Sequence, residues 1–126
     1  MNGVLVDTSV WVDHFRHHNR ALAELLALDR VFTHPLIVGE IACGTPPRRS
    51  QTLSDLGNLQ QAPQASVREV MQFIDREALF GLGCGLVDLL LLASALMAPG
   101  TRLWTLDQRL AALAARFDVQ HVAQAR

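Results

Sequence analysis

The stretch Leu86-Val87-Asp88-Leu89-Leu90-Leu91-Leu92-Ala93-Ser94-Ala95-Leu96 constrains the fold of this chain most. A helix that is apolar on every face must be enclosed, so it belongs in the middle of a domain. It is not a membrane span, because the longest apolar segment, Leu89 to Ala98, falls far short of the roughly 20 residues required. Its one charge, Asp88, is costly there. Desolvating a lone carboxylate costs several kcal/mol even after relaxation, while the helix dipole and a cap offset only about 1 kcal/mol. Asp88 is therefore either a structural cap or an acid kept for chemistry.

The opening of the chain poses the same question. Val4-Leu5-Val6 reads as a buried strand that ends at Asp7, with Thr8 and Ser9 placed to cap a helix beginning Val10-Trp11-Val12. A carboxylate at the C-terminal tip of a central strand stands where open α/β sheets bind their ligands. The plainer alternative is that Asp7 itself caps the helix.

Composition narrows the classes. With 126 residues, half of them hydrophobic and 18% charged, the chain fits one folded domain spanning 1–126. Cys43 and Cys84 form no C-x-x-C pair, so neither a zinc site nor a redox motif is supported, and both are expected to be small core residues in a reducing cytoplasm. No signal peptide is visible, and a soluble cytoplasmic protein is expected. All eleven basic residues are Arg. The absence of Lys excludes P-loop, receiver-domain and Schiff-base chemistry. A formal charge of −1 argues at first against nucleic acid. Withdrawing four of the twelve acids into a metal site would leave the rest net positive, with Arg well suited to phosphate.

Taken in order, helices are expected over Ser9–His17 and Arg20–Leu28, the first with Trp11 and Phe15 inward and the second capped by Asn19. His14, His17 and His18 crowd one end of the first, where a solvated cluster outweighs a metal site because no carboxylate or Cys joins at ligand spacing. Val31–Thr33 reads as a strand, and Pro35 starts a helix that reaches Cys43 and contains Glu40. Glu40 is the only charged side chain from Pro35 to Gly44, and on an apolar face it would need an Arg partner, a proton or a cation. Arg48–Leu59 can form an exposed helix, followed by a connector with room for a short edge strand. Ser66 and Glu69 form a capping box for a helix reaching about Phe80. Gly81, Gly83 and Gly85 make no dinucleotide fingerprint, since no strand precedes them. Arg102–Thr105 is a strand leading to Asp107, which either caps or serves beside Asp7, before a helix over Arg109–Phe117. Val119–Val122 is a final strand. The alternation predicts a three-layer α/β/α domain around a mostly parallel sheet of four to five strands.

If Asp7, Glu40, Asp88 and Asp107 converge, their charges could not share a pocket without cations. Oxygen-only ligation points to Mg2+ or Mn2+, and carboxylates holding such ions serve phosphodiester hydrolysis. No Ser-His-Asp or Cys-His arrangement is in evidence, and this chemistry needs no side-chain nucleophile.

The chain resembles the PIN-domain ribonucleases, specifically the VapC-type toxins of bacterial toxin–antitoxin pairs. Val-Leu-Val-Asp-Thr-Ser-Val-Trp carries the first family acid at Asp7, and Pro-Leu-Ile-Val-Gly-Glu-Ile the second at Glu40. Gly-Leu-Val-Asp-Leu-Leu-Leu-Leu-Ala-Ser-Ala carries the third at Asp88, and Leu-Trp-Thr-Leu-Asp-Gln-Arg-Leu the fourth at Asp107. Any one motif is weak, but four in this order are specific. The resemblance implies a PIN-like α/β/α fold, RNA cleavage dependent on Mg2+ or Mn2+, a homodimer and a cognate VapB-type antitoxin that blocks the site. It also gives Ser9 and Thr105 the role of supporting polar groups. The alternative is a catalytically silent PIN-like module that binds protein or RNA, against which the retention of four acids argues. An aspartyl phosphatase would want a second acid where Ser9 stands.

Overall fold

A computed structural model describes residues 2–123. Four parallel strands form one sheet in the order β3-β2-β1-β4: β1 (Gly3–Val6), β2 (Val31–Thr33), β3 (Gln60–Gln61) and β4 (Thr101–Trp104). β1 is wholly buried, as its unbroken apolar run requires of a strand covered on both faces. It pairs on one side with β2, Leu5 opposite Phe32, and on the other with β4, Val6 opposite Trp104. Strands from the two ends of the chain are thus neighbours, and the order reverses between β1 and β4.

The connections are helical: α1 (Thr8–His17), α2 (Arg20–Ala27), α3 (Pro35–Ala42), α4 (Arg49–Gly57), α5 (Val67–Glu77), α6 (Leu86–Leu96) and α7 (Gln108–Arg116). α1 packs on α2 and α3, and α3 on α4, whereas α6 packs on α5, α7 and β4. These two groups cover the sheet as the outer layers of the expected α/β/α fold. α6 buries Leu89 through Leu92, Ser94 and Ala95. Asn19 accepts a hydrogen bond from the Leu22 N–H at 3.0 Å, and Ser66 and Glu69 close the expected capping box.

Several expectations are corrected. Thr8 and Ser9 lie inside the first turn of α1, not at its cap, because the helix begins directly after Asp7. α5 ends at Glu77, where Ala78 turns left-handed (φ 54°); Leu79 is still drawn into the core, and Phe80 is exposed. The strand expected over Val119–Val122 is one bridge, Gln120 to Leu103, held by Leu103 N–H to Val119 O and His121 N–H to Leu103 O. Cys43 is exposed, just past the last turn of α3, and Cys84 is half-buried in the loop before α6. Cys43 is therefore not a core residue, while Cys84 packs against the edge of the core. Among the described residues no helix is long and apolar enough to cross a membrane.

Candidate active site

Asp7 follows the last residue of β1 and is 7% exposed. It occupies the N-cap position of α1, yet its side chain makes no capping bond. Oδ2 instead accepts two hydroxyl hydrogen bonds, from Ser9 and from Thr105, each at 2.8 Å. Thr105 is 98 residues away in sequence and arrives because β4 runs beside β1. Ser9 Oγ also accepts from the Leu106 N–H, and Thr105 Oγ1 from the Asp107 N–H. These bonds sew the loop after β4 to the start of α1.

The other acids are held in a comparable way. Asp88 stands in the first turn of α6, where Oδ2 accepts from the Gly85 N–H at 3.3 Å. Burial pushes its carboxyl above the ordinary range; Asp7 and Asp107 push it further, and the Gly85 bond opposes them. Asp107 caps α7, with Oδ1 accepting from the N–H groups of Arg109 and Leu110. Glu40, expected on a buried face, is exposed on α3, and its Oε1 accepts from the Thr8 hydroxyl at 2.7 Å. Its exposed position removes the need for an Arg partner. Asp88 therefore lies within electrostatic reach of both Asp7 and Asp107, and Glu40 is tied to the residue next to Asp7.

Each of the four carboxylates is anchored through one oxygen. Among the described residues, Asp7 Oδ1, Glu40 Oε2, Asp88 Oδ1 and Asp107 Oδ2 make no hydrogen bond, and no Arg forms an ion pair with any of the four. Such a donor set fits a hard divalent cation in charge and chemistry. The described residues contain no group of three or more His, Cys, Asp or Glu placed to enclose an ion. That spacing is compatible with Mg2+, which keeps several waters and takes one or two carboxylates. The histidine cluster does not compete: the His14 and His18 rings lie 5.2 Å apart, tilted at 41°, and burial together with His18 keeps His14 less basic than usual.

Sequence reasoning missed three participants. Thr8 holds Glu40, and only the packing of α1 on α3 reveals it. Cys84 sits beside the acids, where burial and then Asp88 and Asp107 push its thiol pKa up, so it is not an activated thiolate. The side chain of Arg109 lies over Gly83. A cleft of about 480 Å3, lined by Thr8, Phe15, Arg16, Glu40 and Pro46, opens beside this edge of the sheet.

Fold and site together define a class: a parallel α/β/α domain with oxygen-only acids at the carboxyl edge of its sheet, where the strand order reverses. The PIN domain family model matches residues 4–116, and the chain belongs to that family. It is 43% identical over 116 residues to Ribonuclease VapC32 of Mycobacterium tuberculosis, from strains CDC 1551 / Oshkosh and ATCC 25618 / H37Rv, covering 92% of this chain and 94% of the relative. The fold also resembles the crystal structure of PAE2754 from Pyrobaculum aerophilum, with a TM-score of 0.59, 18% identity, and 94% and 97% of the two chains covered.

Proposed function

We propose that this chain is a cytoplasmic Mg2+- or Mn2+-dependent endoribonuclease, the toxin of a toxin–antitoxin pair. The observation that carries the reading is the set of carboxylates fixed through one oxygen apiece, with no basic partner. Near relatives named as ribonucleases support the choice of RNA. Asp7 and Asp88 would hold the ion, with Asp107 and Glu40 adding charge around it. When bound, such an ion lowers the pKa of an attacking water and steadies charge on the phosphate. The chain's own part is orientation. Ser9 and Thr105 fix Asp7, the Gly85 N–H fixes Asp88, the start of α7 fixes Asp107, and Thr8 fixes Glu40. The homodimer and the VapB-type antitoxin implied by the family belong to the same reading. A groove of about 210 Å3 between α1, α2 and α4, lined by Trp11, Phe15, Leu26 and Leu56, offers an apolar seat for an antitoxin segment.

The test is cleavage of RNA by purified protein with Mg2+ or Mn2+, repeated with Asp7→Asn and Asp88→Asn. Both substitutions should abolish cleavage and leave the circular dichroism spectrum intact. Equal cleavage by both variants would sink the assignment.

A further inference from the structure

We propose that Arg109 grips the phosphate backbone of the RNA at the edge of the acid site, an inference that rests on the ribonuclease reading above. Two contacts fix this side chain relative to the acids. Its own N–H donates to Asp107 Oδ1 at 2.9 Å, which ties its backbone to the fourth acid. Its side chain then runs across the loop before α6. A Cβ built on Gly83 would lie 2.7 Å from Arg109 Cδ, 2.8 Å from Nη1 and 3.0 Å from Nε, so the guanidinium occupies space left by a glycine. Gly83 is two residues before Gly85, whose N–H holds Asp88. The side chain thus spans from the residue that positions Asp107 to the turn that positions Asp88. Cys84, the neighbour of Gly83, senses Asp88, Asp107 and Arg109 together, which supports the same placement.

A guanidinium serving only to neutralise these acids would bond to one of them. Arg109 does not. Among the described residues its side chain makes no hydrogen bond, and the one ion pair is Arg20 with Glu24. Its donors are left for another partner, in the planar arrangement that matches phosphate oxygens. A cation here has a physical purpose, because an acidic site repels the polyanion it must approach. With no Lys in the chain, only Arg or a protonated His can supply it.

The experiment measures binding of a labelled single-stranded oligoribonucleotide of mixed sequence to full-length Asp88→Asn protein in Mg2+, over a series of KCl concentrations. Arg109→Ala, Arg109→Gln and Arg109→Lys are compared in that background. Loss of one phosphate contact should lower the slope of log K against log salt by about 0.7, the single-strand value. Arg109→Ala and Arg109→Gln should show that loss and bind about tenfold more weakly at low salt, while Arg109→Lys, whose stem still covers Gly83, should keep most of the slope. Unchanged slope and affinity in Arg109→Gln would overturn the proposal. Weaker binding at unchanged slope would also overturn it, by assigning the side chain to holding the loop. If Arg109→Ala fails to fold, Arg109→Gln and Arg109→Lys decide. If the protein with native Asp88 cleaves RNA and its Asp88→Asn form binds RNA, while the Arg109 variants keep the salt slope of that form, Arg109 alone is refuted. If the protein with native Asp88 does not cleave RNA and its Asp88→Asn form does not bind it, the ribonuclease reading is refuted as well.

Discussion

Thr105→Val probes the network that holds Asp7, because it removes a hydroxyl at nearly constant volume. Thr105 is 8% exposed, donates to Asp7 Oδ2 at 2.8 Å and accepts from the Asp107 N–H at 3.1 Å. A hydrogen bond to a charged group is worth about 1.5–3 kcal/mol; the Ser9 hydroxyl still bonds Oδ2 in the variant, which favours the lower half of that range. The Asp107 N–H also loses its acceptor, but its exposed residue admits water, so this adds about 1 kcal/mol at most. The expected loss is about 2–3 kcal/mol, or roughly 10 °C in Tm for a chain of this length. On the proposed function, in which Asp7 holds the ion, losing the partner that orients it should also weaken Mg2+ affinity about 10–100-fold. Thermal unfolding without divalent ions reads the first effect, and RNA cleavage titrated with Mg2+ reads the second. Thr105→Ser, which keeps the hydroxyl, should recover most of both. A Thr105→Val protein with the parent's Tm and the parent's Mg2+ dependence would show that the hydroxyl does not hold Asp7 in any way that matters.

Asp88→Asn should stabilise the metal-free protein at pH 7, although the proposed function expects it to abolish cleavage. Burial, with Asp7 and Asp107 adding to it, raises the carboxyl above the ordinary 3.8, so the folded state binds the proton more tightly than the unfolded chain. Ionisation therefore costs stability as pH rises through that range, and the advantage of Asn should shrink as pH falls below 3.8. Urea unfolding at several pH values without divalent ions would reveal a wrong sign as an Asn variant less stable than its parent at pH 7. Gly3→Ala should destabilise the sheet by about 1–3 kcal/mol, since the new Cβ would meet buried Phe32 ring atoms at 2.5–2.9 Å. Urea unfolding indistinguishable from the parent would show that the ring moves aside freely.

What the sequence revealed of the fold follows from how local each signal is. β1, β2 and α6 were legible because unbroken apolar runs have few other uses in a chain of this size. The caps at Asn19 and Ser66 were legible because the cap side chain and the N–H that donates to it lie within three residues. β3, the short edge strand for which the connector after Leu59 left room, is two glutamines whose pairing with Phe32 and Thr33 fixes its place. The bridge at Gln120 depends likewise on Leu103. At the site, four acids could be picked out one by one, but their individual roles could not. Asp7 and Asp107 carry the same strand–acid–helix pattern; one ignores its helix and the other caps it. That difference comes from Thr105 and Ser9 competing for the Asp7 oxygen across the sheet.

The sheet order explains why that competition arises at Asp7. In a doubly wound sheet, loops leave the carboxyl ends of two adjacent strands in opposite directions where the strand order reverses, and a crevice opens between them. Here the reversal lies between β1 and β4, so the crevice is bounded by Asp7 on one side and Thr105 to Asp107 on the other. A buried carboxylate at that point lacks solvent, and an Arg partner would consume the oxygens a cation needs. Two neutral hydroxyls satisfy one oxygen and bring no opposing charge to it. The arrangement orients Asp7 while leaving Oδ1 without a protein donor, which suits the ion of the proposed function better than a purely structural role.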